Sequence, residues 1–247
     1  MVKIMKLTNN EIKQLKKLKD KKYRKSEGLF LVEGSKLCEE VLNSGFDIKY
    51  SITSNEFKYN DFPNLIKVDY NIIEAISTTQ TPQDIVCVCY IPHDIIETPK
   101  GNSIILDGLQ DPGNIGTLIR SAMAFGFGDI YFIDCPDIYG EKVIRSSMGG
   151  IFKINAHIIS REQFIEDKSK ICDVLIATTL QGQKLYKKDL PKGRLGVIIG
   201  NEGNGISKQL IKCSDKQIKL PMTDKVESLN AGVAGSIIMY EIFKGEI

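Results

Sequence analysis

Leu106-Asp107-Gly108-Leu109-Gln110-Asp111-Pro112-Gly113-Asn114-Ile115-Gly116-Thr117-Leu118-Ile119-Arg120-Ser121 sets the architecture of this chain. It continues an apolar run of strand length, Ser103-Ile104-Ile105-Leu106. The Asp/Pro/Gly/Asn turn that follows ends the strand and opens a helical pattern with Arg120 on its second turn. One Asn and one Arg are thereby set at the exit of a buried strand, where open α/β sheets hold their ligands. Asn114 has the residue type of a helix N-cap. Helical spacing puts Arg120 on the side of Gly113 and Gly116. A lone helix arginine is ordinarily a surface ion-pair partner, so the meaning of Arg120 depends on the rest of the chain.

Strand-like runs recur at Ile130–Ile133, Val174–Ala177, Gly196–Ile199 and Ile218–Leu220. Helical patterns lie between them at Ile115–Phe125, Gly140–Arg145, Glu162–Asp167 and Ser207–Cys213, and a last helix runs from Asn230 to Phe243. Alternation of strand and helix predicts a largely parallel sheet covered on both faces. Upstream, Thr8-Asn9-Asn10-Glu11 has capping-box spacing and starts a helix to Lys19, with Ile12, Leu15 and Leu18 as its buried stripe. Strands at Leu29–Val32, Ile48–Thr53 and Ile85–Tyr90 join helices at Ser35–Ser44 and Ile72–Ile76 in a smaller α/β unit. Pro92–Asn102, with Pro92, Pro99 and Gly101, reads as a linker. The expected division of the 247 residues is a domain over 1–91, a linker over 92–102 and a domain over 103–247.

Composition excludes several classes. No apolar run approaches the roughly 18 residues of a membrane helix. Met1-Val2-Lys3-Ile4-Met5-Lys6 lacks a signal-peptide core. The six cysteines are scattered, with no CxxC spacing, which predicts free thiols in a reducing cytoplasm and no metal. With His93 and His157 the only histidines, neither a His-based zinc site nor a Ser/His triad is expected. Residues 1–27 carry a net charge of +7, so the rest carries −5. Lysine concentration of this kind fits either a solvated helix face or a polyanion held through counterion release. Lys17, Lys21, Lys22 and Arg24 are its candidate nucleic-acid contacts. Deleting residues 1–25 is expected to weaken that binding and flatten its salt dependence.

Two further stretches resemble the first. Val197-Ile198-Ile199-Gly200-Asn201-Glu202-Gly203-Asn204-Gly205-Ile206 again takes a strand into a glycine-rich loop that opens a helix. It has neither GxGxxG after a first strand nor GKS/GKT, so the Rossmann and P-loop readings fail on spacing. Glu202 is a candidate fixed acceptor, and an ordinary turn is the plainer reading. Ile218-Lys219-Leu220-Pro221-Met222 and Val226-Glu227-Ser228-Leu229-Asn230-Ala231-Gly232-Val233-Ala234 lead into a helix rich in small residues. Ser228 or Asn230 suits its cap, and its Ala/Gly face suits close packing on another helix or on a second subunit.

Together the three stretches resemble the sequence motifs of the SpoU (TrmH-like) RNA ribose 2′-O-methyltransferases of the SPOUT superfamily. Leu106–Ser121 matches the first motif, Gly196–Gly205 the second and Ile218–Ala234 the third. Phe30-Leu31-Val32-Glu33-Gly34 and Thr79-Gln80-Thr81-Pro82-Gln83 are similar to the family's L30e-like substrate-binding domain. Asp84 departs from the glycine common there, and Gly232 and Gly235 from the Ser and Ala frequent in the third motif. The resemblance implies an α/β fold whose C-terminal, mostly parallel sheet is tied in a deep trefoil knot, and a homodimer. It implies S-adenosylmethionine bound at Thr178, Leu180, Gly200, Leu220 and Leu229. Arg120 matches the proposed catalytic arginine, as a base or as a clamp on phosphate and developing alkoxide. Asn114 and Glu202 are expected to hold Arg120 and the ribose, Ser228 and Asn230 to complete the wall, and Arg145 to touch RNA. The substrate implied is a structured RNA, 23S rRNA ahead of tRNA. A non-catalytic RNA-binding assembly factor is the alternative of another class.

Overall fold

The computed structural model of the chain describes residues 7–54, 61–92, 98–184, 190–223 and 225–246. The expected signal-free start and residues 93–97 of the predicted linker, His93 among them, lie outside the described residues. Two compact units are present: Met1–His93 with Tyr139–Phe152, and Asp94–Ile138 with Lys153–Ile247. Tyr139–Phe152 therefore groups with the first unit, although the sequence division put it in the second domain. The cause is aromatic packing: the Phe30 ring lies 4.8 Å from that of Tyr139 and 6.3 Å from that of Phe152, and Phe46 meets Phe152 edge-on at 5.3 Å.

The first unit runs α1 (Asn9–Lys17), α2 (Lys21–Glu27), β1 (Leu29–Glu33), α3 (Ser35–Leu42), β2 (Ile48–Ser54), β3 (Leu65–Val68), α4 (Tyr70–Ile76) and β4 (Ile85–Tyr90). Its sheet has the order β1-β4-β2-β3, with β4 antiparallel to both neighbours and β2 parallel to β3. The capping box forms: Glu11 N donates to Thr8 Oγ1, and Thr8 N donates to Glu11 Oε2 at 2.7 Å. Leu15 and Leu18 then pack with Leu29, Ile52, Ile66 and Ile73, each contributing about 1.5–3 kcal/mol of burial. Helix α2 lacks an apolar stripe and is made by its ends. Asp20 Oδ1 accepts from Lys22 N at 2.8 Å, and Gly28 closes it at φ +63°. Arg24 is buried, and its Nη1 donates to Leu18 O at 2.7 Å and Lys19 O at 2.8 Å. It satisfies carbonyls at the end of α1, a structural role beside the RNA contact expected of it.

The second unit runs β5 (Ser103–Asp107), α5 (Pro112–Ala124) and β6 (Asp129–Ile133). After α6 (Glu141–Ser146) of the first unit come β7 (Asn155–Ile158), α7 (Arg161–Ile171), β8 (Val174–Lys184), β9 (Leu195–Gly200), α8 (Lys208–Cys213), β10 (Lys216–Lys219) and α9 (Ala231–Glu246). The sheet order is β10-β8-β9-β5-β6-β7, and every pair is parallel. Alternate residues of a strand face opposite sides. Ile198 packs with Phe164, Ile171 and Leu210 of α7 and α8, while Ile199 meets Gly235 of α9. Helices thus cover both faces. Asp107 lies level with Ile133 on one side and Gly200 on the other, so the exits of β5, β6 and β9 are aligned.

Strand β8 continues to Lys184, beyond the predicted Ala177. Its pairing with β10 jumps from Gln217↔Ala177 to Ile218↔Gln183. There Gly182 is pressed so closely that a Cβ would stand 2.6 Å from the carbonyl carbon of Ile218, so only glycine fits. The described part of the predicted linker is fastened down: Arg194 Nη1 donates to Pro99 O, and Leu195 N donates to Asn102 Oδ1 at 2.8 Å.

Candidate active site

Three chain segments far apart in sequence converge at the aligned strand exits. Asn114 Nδ2 donates to Glu202 Oε1 at 2.8 Å, and Asn230 Nδ2 donates to Asn114 Oδ1 at 2.9 Å. Asn230 Oδ1 accepts from Val233 N, so the same side chain caps α9 as expected. Asn114 does not cap α5. That place belongs to Asp111, whose Oδ1 accepts from Asn114 N at 2.8 Å. Pro112 at the first helical position pulls the cap back three residues, which frees the Asn114 amide to bridge the two other segments.

Glu202 does not hold Arg120. Its second oxygen faces Gln110 N at 3.4 Å. Burial pushes the Glu202 carboxyl up, but the Asn114 amide and surrounding backbone N–H groups outweigh it and hold the group below the ordinary value. A carboxylate is thus maintained at neutral pH. Arg120 is exposed on the face of α5 that carries Gly113 and Thr117, about 120° around the helix axis from Asn114. Among the described residues its guanidinium has no hydrogen-bond or ion-pair partner. Ser228 is exposed on the segment leading into α9.

The loop carrying Glu202 is fixed by residues that the motif reading passed over. Asn201 and Gly205 exchange backbone hydrogen bonds, Asn201 N to Gly205 O at 3.0 Å and Gly205 N to Asn201 O at 2.9 Å. Asn201 Oδ1 accepts from Gly203 N and Asn204 N, and its Nδ2 donates to Gly108 O at 2.7 Å. At Gly200 a Cβ would stand 2.4 Å from the Gly205 carbonyl carbon, so the loop can close this tightly only on glycine. Asp107 holds both ends of this loop. Its backbone pairs with Gly200, and its Oδ2 accepts from Ser207 N at 2.7 Å. Arg161 balances the buried Asp107 charge at 2.8 Å and reaches Asp134 at 2.7 Å. An acid at a buried strand end was the available signal, and its partners lie on other strands.

Of the expected cofactor residues, Thr178 Oγ1 donates to Ile198 O at 2.7 Å and ties β8 to β9. Leu180 and Leu229 are exposed, and Gly200 and Leu220 are half-buried. A cavity of about 490 Å³ lies along the β8–β10 edge, lined by residues that include Gln181, Gln183, Lys216 and Gln217 and by none of those five. Lys17, Lys21 and Lys22 are exposed in the first unit. Arg145 pairs with Glu141 at 2.8 Å one helical turn away, with the Arg145 side chain 60% exposed.

Among the described residues no helix is long and apolar enough to cross a membrane. Residues 101–240 match the SpoU rRNA methylase family, and residues 9–87 match an MRM3-like substrate-binding domain. The chain is 30% identical to the 23S rRNA (guanosine(2553)-2′-O)-methyltransferase RlmP of Bacillus subtilis, over 95% of this chain and 96% of that protein. A TrmH-family protein from Porphyromonas gingivalis superposes with a TM-score of 0.85 at 28% identity, covering 96% of this chain and 98% of the other. An AdoMet-bound rRNA methyltransferase from Sinorhizobium meliloti shares the fold at the same TM-score and 24% identity, over 99% and 98% of the two chains.

Proposed function

The chain belongs to the SpoU rRNA methylase family, and we propose that this RNA methyltransferase transfers the methyl group of S-adenosylmethionine to a ribose 2′-hydroxyl of 23S rRNA. The observation that carries the reading is the Glu202–Asn114–Asn230 chain, which gathers all three motifs at one set of strand exits. The ribose specificity and the rRNA substrate follow the Bacillus subtilis relative, which aligns over nearly the whole chain.

The residues at these exits fit S-adenosylmethionine. Leu180 and Leu229 offer exposed apolar surface that an adenine ring would cover. Thr179 Oγ1 is buried without a partner among the described residues and is available to a polar ligand atom. Thr178, Leu180, Gly200, Leu220 and Leu229 would hold the cofactor, which supplies an electrophilic methyl group when bound. The protein's share of the chemistry is orientation, which can supply several kcal/mol of the barrier. Asn114, held from both sides, has no freedom to rotate and fixes one wall of the ribose site. Guanidinium groups keep their proton at neutral pH and bind phosphate bidentately. The role that suits Arg120 is therefore to grip the adjacent phosphate and stabilise the oxygen as its proton leaves.

The proposal includes a homodimer. Val233, Ile237 and Tyr240 are exposed at i, i+4 and i+7 on α9, an apolar stripe that costs free energy in water. A second copy covering it would also bring groups toward the unpartnered Arg120. The crossing of Gly182 against Gln217 and Ile218 supports a knotted β8–β10 segment within the same reading. Free thiols at all six cysteines support a cytoplasmic setting.

Methyl transfer from labelled S-adenosylmethionine to purified 23S rRNA and to tRNA tests the reading, with resistance of the product linkage to alkali reporting the 2′-position. Labelling of 23S rRNA at an alkali-resistant linkage is expected. Label on a base would refute ribose specificity, and label on tRNA alone would refute the substrate.

A further inference from the structure

The antiparallel pairing in the first unit brings the start of β1, the start of β2 and the end of β4 to one end of the sheet. Tyr90 closes β4 opposite Leu29 and is exposed. Lys49 and Tyr50 open β2 beside it, and Lys49 Nζ stands 5.4 Å from the Tyr50 ring centre and 5.9 Å from that of Tyr90. Gly28 joins Leu29 to α2, whose Tyr23 is exposed under Lys17 Nζ at 5.2 Å. Lysine ammonium groups thus stand by tyrosine rings at two places in the first unit, one of them within the positively charged residues 1–27. Of the acids nearby, Glu11 is held by Thr8 and Asp20 by the start of α2, while Glu27 and Asp47 are exposed.

We propose that Tyr23 and Tyr90, steadied by Lys17 and Lys49, form a stacking platform for unpaired bases of the RNA substrate. This rests on the reading of the chain as an RNA methyltransferase. Tyrosine rings give an unpaired base a π-face that duplex RNA cannot use, because its bases are already stacked. The lysines meet the flanking phosphates, and their positions hold the rings where a base can reach them. Helices alone would not require this pairing: the lysines of α1 would be as soluble with no aromatic side chain beneath them. The +7 charge of residues 1–27 selects a polyanion over an acidic peptide of few charges, because counterion release grows with each phosphate neutralised.

Deletion of residues 1–25 is a poor test, because it removes Leu15 and Leu18 from the core. Substitutions at exposed side chains of the full chain avoid that. The probes are a short unpaired oligoribonucleotide and the same strand annealed to its complement, with binding read by fluorescence anisotropy across a salt series. Tyr90→Ala and Tyr23→Ala are each expected to weaken binding of the unpaired strand roughly 5- to 150-fold without changing its salt slope. Tyr90→Phe and Tyr23→Phe should bind as the wild type does. Lys17→Gln and Lys49→Gln should each flatten the slope by about 0.7. Wild-type affinity in both Tyr→Ala variants, or an equal loss on the duplex, would overturn the platform. Thermal melting of each variant keeps a folding defect separate. Absence of methyl transfer by the wild type to any RNA would instead count against the enzymatic reading, whatever the tyrosine variants do.

Discussion

Asn230 donates its amide to Asn114 Oδ1 at 2.9 Å, joining the start of α9 to the first turn of α5 across 116 residues of sequence. The contact orients Asn114 so that its own amide points at Glu202. Asn114→Asp is therefore expected to be more harmful than its size implies. The new carboxylate would face Glu202 without a donor between them, and like charges at this spacing repel. Steady-state kinetics should show a loss of kcat of about a hundredfold or more. Asn230→Ala should also remove the α9 cap, costing about 1 kcal/mol in chemical denaturation. Near-additive effects of the two changes on kcat would show that the contact plays no part in catalysis.

Arg120 gives a cleaner separation, because it is exposed and, among the described residues, holds no other group in place. Arg120→Ala should lower methyl transfer by about a hundred- to a thousandfold while leaving the melting temperature and the dissociation constant for S-adenosylmethionine near those of the wild type. Arg120→Lys keeps the charge but loses the bidentate fork, so partial recovery is expected. Full turnover in Arg120→Ala would remove the assignment.

Legibility of the fold followed burial. Strands β5, β6 and β9 are buried on both faces, so each reads as a continuous apolar run in the sequence. Helix α2 has no such signal, since Lys21-Lys22-Tyr23-Arg24-Lys25-Ser26-Glu27 is held by its caps and by Arg24. The outer half of β8, Leu180-Gln181-Gly182-Gln183-Lys184, is polar because it lies at the edge against β10 alone. In the site, residue types were legible and partners were not. Glu202, Asn114 and Asn230 stand out by position in the motifs, but which bonds to which depends on strand order. The free state of Arg120 is likewise a property of the folded helix face.

Asp107 and Arg161 illustrate a function carried by placement. The Asp107 side chain is 2% exposed and that of Arg161 21% exposed. Arg161→Met leaves a buried carboxylate with one neutral donor, which should cost about 3–5 kcal/mol. Asp107→Asn together with Arg161→Met should cost less than Arg161→Met alone, because the stranded charge is gone. Urea denaturation of the four proteins measures this directly. The double variant is expected to regain stability without regaining full affinity for S-adenosylmethionine, since the neutral amide oxygen at position 107 accepts from Ser207 N more weakly than the carboxylate does. A double variant with wild-type cofactor affinity would reduce Asp107 to a core ion-pair partner.

Glu33 supplies a pH-dependent test in the first unit. Both its oxygens are used, accepting from Ser77 Oγ at 2.6 Å, Thr79 Oγ1 at 2.7 Å, Thr78 N at 2.8 Å, Thr78 Oγ1 at 2.9 Å and Gln83 N at 3.1 Å. Burial raises the affinity of this carboxyl for a proton, but the bonds from Ser77, Thr79, Gln83 and Thr78 outweigh it and set the group below its ordinary value of 4.5. Because the folded state favours the ionised form, the stabilisation is complete above the unfolded value and is lost as pH falls through the lower folded value. Glu33→Gln offers one acceptor oxygen to five donors and should cost about 2–3 kcal/mol at pH 7. Melting temperatures of wild type and variant should differ most at neutral pH and converge as pH falls below the folded-state value of the carboxyl. A difference that stays constant across that range would mean that packing of the Thr78–Gln83 loop, and not the carboxylate charge, is what Glu33 provides.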